Sequence, residues 1–544
     1  MHRLAIILCL GAFLLLSQDS RTVERVVEGN PSNYRALLRT LKAGDTLNLA
    51  PGSYDRLSIV GLNGEPDAWI TVSGPASGAP AVILGKANSD TVSIENCSYV
   101  SIENLRIDSR SIPGAFGIST KGHEGNVSHH IRVQGNVLVG QDGGQQTDGI
   151  STKTPTWGWI IRYNQILGAG TGIYLGDSDG GQPFLGGLIE NNLIQDSIGY
   201  NLEIKHQNSL PDVPGMPTGP SDTVIRNNVF IKNDRPSPDG DRPNVILGAF
   251  PTSGGSALSM YEVYGNYFIH NHREALFQAS GRVSVHDNVF VDGPYDYPAI
   301  VMRAHQGRPL KIAYLFNNTI FTSSKGIYFG SRATIDDAVV GNLVFGSTPV
   351  SGTIMRQAEN VVDWPANAGK YVAAPTFDRE KMDFYPLSGK CQGPALDLSI
   401  FQTGTDYARD FNGVSKVLSK GAVVFRGAYA GEGANPGWLP LRGIKPPMPP
   451  VAMKKPGLVW IAPAAGRPGT TVKLELFGED FQPEDRVEIS GNGIQLGNVE
   501  VASGTHITVS AKIAAALPAS NREVSVVSAT GKSNSMRFRV NATP

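Results

Sequence analysis

Between residues 100 and 345 the chain repeats one short pattern of hydrophobic and polar positions: alternating apolar residues, an Asn, then one or two apolar residues. The copies are Ile102–Leu105, Val133–Val137, Tyr163–Ile166, Ile189–Leu193, Ile225–Val229, Val263–Tyr267, Val285–Val289, Leu315–Thr319 and Val339–Leu343. Their Asn residues (Asn104, Asn136, Asn164, Asn192, Asn228, Asn266, Asn288, Asn318 and Asn342) are 22 to 38 residues apart. A variable period in this range, built from strand-like phrases, predicts a solenoid in which each repeat is one coil. Asn suits a recurring corner because it tolerates left-handed backbone and its amide can hydrogen-bond the Asn of the next coil. The fold class predicted is therefore all-β: a right-handed, single-stranded parallel β-helix of about ten or more coils.

A further strand follows each corner: Gly149–Lys153, Gly172–Asp177, Asn201–His206, Asn244–Gly248, Glu274–Gln278, Ala299–Arg303 and Gly326–Gly330. Successive side chains of a strand point to opposite faces. With Ile150, Ile173, Leu202, Val245, Ala275, Ile300 and Ile327 inward, two outward columns remain. One is Ser151, Tyr174, Glu203, Ile246, Leu276, Val301 and Tyr328, and the other is Lys153, Gly176, Lys205, Gly248, Gln278, Arg303 and Gly330. Rungs about 4.8 Å apart put Lys153 and Lys205 roughly 10 Å apart and Arg303 roughly 14 Å beyond Lys205. Asp177, Asp179, His206 and His305 lie at or just past the strand ends. Cations, bare glycines and carboxylates along one groove suit an extended anionic chain. Irregular insertions at 208–221, 233–243 and 251–256 would wall it, and Trp157, Trp159 and Phe184 offer either sugar-stacking or structural rings.

At the N-terminal end, Tyr34–Leu41 has helical periodicity and would cap the first coil, protecting its open edge. Coils are expected to about residue 347, with 348–441 as a C-terminal cover and the whole helix domain spanning 23–441. A Pro-rich linker at 442–456 leads to short alternating strands over 457–544, which predict a small β-sandwich.

Composition narrows the function classes. With 47 Lys and Arg against 48 Asp and Glu, the net charge of −1 gives no general attraction to nucleic acid or an anionic membrane, so electrostatic recognition must be local. Arg3 followed by an apolar run from Leu4 to Leu16 reads as a secretory signal over 1–20. Thirteen residues are too few to span a bilayer. No Ala-x-Ala cleavage pattern is present, which leaves an uncleaved N-terminal anchor as the alternative. A secreted or periplasmic monomer is expected. Cys97 and Cys391 either pair or remain as two buried thiols.

The segment Pro463–Val472 with Gly478-Glu479-Asp480-Phe481 resembles the IPT/TIG immunoglobulin-like family, which implies spacing or adhesion for the tail. The β-helix with its polar, loop-walled groove resembles the parallel β-helix polysaccharide lyases: pectate lyases and the alginate lyase and chondroitinase-B-like families. That resemblance implies removal of the proton α to a uronate carboxylate and expulsion of the linked sugar. A Lys or Arg acts as base, and Ca²⁺ or a second cation neutralises the carboxylate. On this chain it assigns Lys205 as base, Arg303 to the substrate carboxylate, and His206 or His305 as proton donor. Lys153, Tyr174, Gln278 and Tyr328 fall to substrate binding, and Asp177, Asp179 and Glu203 to a Ca²⁺ cluster. The expected partner is an extended acidic polysaccharide. Two other readings stand beside this one. An inverting glycoside hydrolase or epimerase would use clustered carboxylates such as Asp177 and Asp179. A non-catalytic carbohydrate-binding surface protein would use the groove and tail alone.

Overall fold

The computed structural model describes residues 25–542 apart from 121–124, 209, 403, 417–422, 440–442, 448–454, 480, 483–484, 504–505 and 529–530. The proposed signal at 1–20 lies outside the described residues. Two compact units divide at Pro447 and Met448.

The first unit is the expected right-handed parallel β-helix. Three long sheets form its walls. The first has 13 strands, from Val26–Gly29 to Arg356–Ala358; the second has 11, from Leu57–Val60 to Thr348–Gly352; the third has 12, from Gly52–Tyr54 to Val361–Asp363. One coil reads Ile160–Arg162 in the first sheet, Gln165–Leu167 in the third and Thr171–Leu175 in the second. The second sheet pairs Ile150 with Ile173, Ile173 with Leu202, Leu202 with Val245, and Ile300 with Ile327, all fully buried. Val245 pairs with Phe277 rather than Ala275, so Gln278 joins the column of Glu203 and Ile246. A two-residue slip preserves every face, so the alternation of apolar and polar positions does not reveal it. Elsewhere the interior is filled by like stacking on like. Phe230, Phe268 and Phe290 stack with centroids 5.1 and 4.5 Å apart.

The Asn corner divides its two tasks between adjacent residues. Asn136, Asn164, Asn192, Asn228, Asn266, Asn288, Asn318 and Asn342 form a buried ladder that continues to Asn360. From Asn164 onward, each side-chain oxygen accepts both the backbone N–H and the amide N–H of the preceding Asn. Asn192, for example, donates to Asn228 Oδ1 at 3.0 and 2.9 Å. The left-handed backbone falls one position earlier, at Gly135, Tyr163, Asn191, Asn227, Gly265, Asp287, Asn317 and Gly341. Asn104 belongs to that left-handed set, and Leu105 occupies the ladder position of its coil.

The coils run one turn further than expected, to Asp363. The chain then doubles back along the left-handed corner as a cover. Phe401 stacks on Phe316 at 4.1 Å, and the Lys416 ammonium reaches Asp287 at 2.8 Å. Lys445, expected in the linker, is buried instead. Its ammonium donates to the carbonyls of Phe411 and Gly265 and to Asn227 Oδ1. Tyr34–Leu38 forms the N-terminal helix, burying Tyr34 and Leu38. Cys97 and Cys391 are free, buried thiols in separate apolar clusters.

Asp292 closes a third-sheet strand and accepts the Asn271 backbone N–H at 3.0 Å. Burial pushes its carboxyl up to about 8. Unfolded Asp releases its proton near pH 4, so the folded state holds the extra proton between those values and stability falls as pH rises through that window. Asp292→Asn is expected to flatten this fall and to exceed the wild-type stability by on the order of a few kcal/mol at pH 9. Denaturant melts at pH 5 and pH 9 check it.

The second unit is a β-sandwich. Gly457–Ala462, Thr471–Glu479, His506–Ile513 and Ile494–Ser503 form one antiparallel sheet. Ala465–Gly466, Met536–Val540, Ser520–Ser528 and Arg486–Ile489, with Gly531–Lys532 paired to Ser520–Ser528, form a second, mixed sheet. Leu474, Leu476, Ile507, Val524, Val526 and Phe538 fill the core between them.

Candidate functional site

On the outer face of the second sheet lies a cavity of about 370 Å³, lined by Phe116, Gln145, Asp148, Lys153, Tyr174, Ser178, Tyr200, Glu203, Lys205 and Arg242, among others. The strand register builds its floor. Ser151, Tyr174 and Glu203 are cross-strand neighbours on three successive coils. Lys153 and Lys205 project two residues further along their strands, one on each side of Gly176. The Tyr174 ring lies between the two ammoniums, with Lys153 Nζ 4.8 Å and Lys205 Nζ 5.9 Å from its centroid.

Each lysine has a buried carboxylate beside it. Lys205 Nζ donates to Glu203 Oε1 at 2.9 Å, and Lys153 Nζ lies 3.2 Å from Asp148 Oδ2. Burial pushes the Glu203 carboxyl up, with Lys205 pulling it back. Burial also raises the Tyr174 phenol well above its ordinary range, and the neighbouring carboxylates Glu203, Asp148 and Asp177 add to this. Tyr174 therefore keeps its proton, and its hydroxyl shares a hydrogen bond with Ser178 Oγ at 2.8 Å. Three cations, Lys153, Lys205 and Arg242, face two carboxylates, so the cavity carries a surplus of positive charge and favours an anion.

The 233–243 loop forms one wall. The Asp239 backbone N–H donates to Gln145 Oε1 at 2.9 Å, and Gln145 Nε2 donates to the Gly240 carbonyl at 2.8 Å. These bonds hold Arg242 over the Tyr200 ring, 5.7 Å from its centroid.

Of the residues expected from sequence, Lys153, Tyr174, Glu203 and Lys205 meet in this cavity. His206 lies at its edge, its Nδ1 2.7 Å from Oε1 of Gln306, which also lines the cavity. His305 and Arg303 stand on the coils above and are not lining residues. His305 Nδ1 is 3.4 Å from the Gln278 amide, and burial lowers the His305 pKa, reinforced by Arg303. Gln278 is itself buried. Tyr328 is half-buried higher on the same face, with Lys325 Nζ 5.0 Å from its ring. Asp148, Tyr200 and Arg242 were not anticipated.

The expected Ca²⁺ ligands do not come together. Asp177 and Asp179 accept the backbone N–H groups of Ser178 and Gly181, capping their own turn, while Glu203 is engaged by Lys205. Among the described residues the sole cluster with metal-ligand spacing is elsewhere, so this donor set does not fit Ca²⁺. Trp157, Trp159 and Phe184 are core residues. Trp159 and Phe184 are fully buried, and Trp157 stacks on His129 at 4.4 Å.

The family described as right handed beta helix region matches residues 148–344. No curated protein matches the sequence. Three solved structures illustrate the range of similar folds. An alginate lyase from Paenibacillus sp. str. FPU-7 is 14% identical, with 63% of this chain and 100% of that chain covered and a TM-score of 0.37. A lacto-N-biosidase from Eubacterium ramulus is 12% identical over 62% and 68%, with a TM-score of 0.38. A surface adhesin of Streptococcus pneumoniae is 13% identical over 57% and 86%, with a TM-score of 0.34.

Proposed function

We propose that this is a polysaccharide-active protein of the secreted or periplasmic space that cleaves a uronate-containing chain by β-elimination in the cavity at Lys205. The observation that carries the reading is the pairing of surplus cations with a buried Lys–Glu couple around one protonated phenol. Lys153 and Arg242 bind the substrate carboxylate and stabilise the charge that develops when the α proton leaves. The proton on Lys205 passes to Glu203 along their 2.9 Å hydrogen bond. Burial of Glu203 raises the affinity of its carboxyl for that proton. The free Lys205 amine then takes the α proton. The C–H electron pair becomes the new double bond, the β C–O bond breaks, and the leaving oxygen takes the Tyr174 proton. No step needs a metal. The chain beyond the cleaved bond continues past Gln306 toward His206, His305, Arg303 and Tyr328.

One observation favours a second reading. Asp148 and Glu203 line the same cavity, and Glu203 is the carboxyl that burial drives toward its protonated form. Two carboxyl groups lining one cavity, one of them held toward its acid form by burial, are the residue types that a glycoside hydrolase uses. The tail sandwich, with its IPT/TIG-like sequence, is assigned a spacing or adhesion role in either case.

The experiment is a panel of uronate polysaccharides, followed by ultraviolet absorbance of the unsaturated product and by new reducing ends. Absorbance and ends rising together support elimination. Ends without absorbance support hydrolysis, and neither signal on any substrate overturns both and leaves a binding protein. On the active substrate, Arg242→Ala is expected to lower kcat/KM at least tenfold, through a raised KM and a lowered kcat together, because the guanidinium holds the carboxylate before the reaction and stabilises the charge that develops on it.

A further inference from the structure

A second cluster of chemistry-bearing side chains stands where the third sheet gives way to the second. His270 and His272 follow the strand Tyr267–Ile269, and Asp234 comes from the wall loop one coil earlier. One donor atom from each of the three lies within 4.8 Å of the others. Asp234 Oδ1 is 2.9 Å from His270 Nε2 and 3.7 Å from His272 Nδ1. A tetrahedral zinc ion with bonds of about 2.0–2.2 Å separates its ligand atoms by roughly 3.3–3.6 Å, midway between these values. His272 Nδ1 is buried and has no hydrogen-bond partner, a cost that a ligand would remove. The Tyr295 hydroxyl donates to Asp234 Oδ1 at 3.0 Å, the kind of outer contact that orients a ligating carboxylate.

We propose that Asp234, His270 and His272 form a binding site for a divalent transition metal, zinc by preference, which staples the 233–243 loop to the body of the helix. Two imidazoles and one carboxylate suit zinc rather than calcium or magnesium, and three protein ligands leave one position for water. Binding through His272 Nδ1 puts the imidazole proton on Nε2, which now accepts from Arg273 Nε at 2.8 Å. The exposed Arg273 side chain then turns away toward Asp241, 3.9 Å distant. The staple also bears on the cavity. The Arg242 carbonyl accepts from Asn271 Nδ2, between the two histidines, and from Lys232 Nζ. Fixing Asp234 therefore fixes the loop that presents Arg242.

The test uses untagged full-length protein stripped with chelator, titrated calorimetrically with Zn²⁺ and separately followed by the visible absorbance of bound Co²⁺. Metal binding is read without any substrate, so its outcome is separate from the proposed reaction. One zinc per chain is expected at this site, with affinity at least tenfold weaker in Asp234→Asn and in His270→Gln. Zinc should also slow proteolytic cleavage within 233–243 in the wild type and not in either variant. Asp234 is largely exposed, so its variant should fold normally even if the histidine variant does not. Absence of saturable zinc binding, or wild-type affinity in Asp234→Asn, overturns the site.

Discussion

Replacing Lys205 by Met is expected to lower kcat on the active polysaccharide by about 10²–10⁴, the usual contribution of a positioned general base. Met keeps an unbranched side chain of similar length beside Tyr174 and removes the charge. It leaves Glu203 buried without its partner, and an orphaned charge in such a place would cost several kcal/mol. The carboxyl, already displaced upward by burial, escapes most of this by taking a proton. The variant should therefore stay folded at pH 6 and lose stability as pH rises. Adding Glu203→Gln should restore the stability and not the activity. That split separates a chemical role for Lys205 from a structural one, and circular dichroism melts beside kinetic assays read both.

The second large effect concerns the scaffold. Asn228 accepts two N–H groups from Asn192, at 3.0 and 2.9 Å, and donates to the Ile189 carbonyl and to Asn266 Oδ1, at 2.8 and 3.0 Å. All of these groups are buried, and Ala removes the four bonds: the Asn192 backbone N–H and one Asn192 amide hydrogen lose their acceptor, the Ile189 carbonyl loses a donor, and Asn266 Oδ1 keeps only the backbone N–H of residue 228. At about 1–3 kcal/mol for each unsatisfied group, offset by partial relaxation, Asn228→Ala is expected to destabilise the helix domain by about 3–5 kcal/mol. Asn228→Asp tests the direction of the ladder. A carboxylate still accepts from Asn192 but donates to neither partner and faces Asn266 Oδ1, so it should rescue less than half of the loss. Asn360 ends the ladder and is half-buried, so the same Ala change there should cost far less. Equal costs at Asn228 and Asn360 in denaturant unfolding would contradict a cooperative ladder.

What the sequence revealed follows from where periodicity operates. The Asn phrase and the inward apolar positions repeat once per coil, so the coiled architecture, the facing of Ile150, Ile173 and Leu202, and the clustering of Lys153, Tyr174, Glu203 and Lys205 were all legible. Register was legible only modulo two, which is why Gln278 was assigned to the column of Lys205 and belongs to that of Glu203. Residues outside the period gave weaker signals. Arg242 lies in an insertion identified as a wall, but nothing in the loop singles out that arginine. Asp148 stands one residue before a predicted strand. Asp177 and Asp179 drew attention as hard oxygen ligands, yet Asp-Ser-Asp-Gly is also a turn, and one oxygen of each accepts a backbone N–H of that turn. The histidines at 270 and 272 show a suggestive spacing. Their third partner, Asp234, arrives from the previous coil, a relation that only the stacking of coils makes visible.

The central claim is removal of the α proton by Lys205. Its most direct test is proton NMR of the products formed by wild type and by Lys205→Met on one uronate polysaccharide. An olefinic proton on the new non-reducing end, formed by wild type and absent with the variant, is the predicted result. Reducing ends without an olefinic signal, or an olefinic signal of equal rate in the variant, would contradict it.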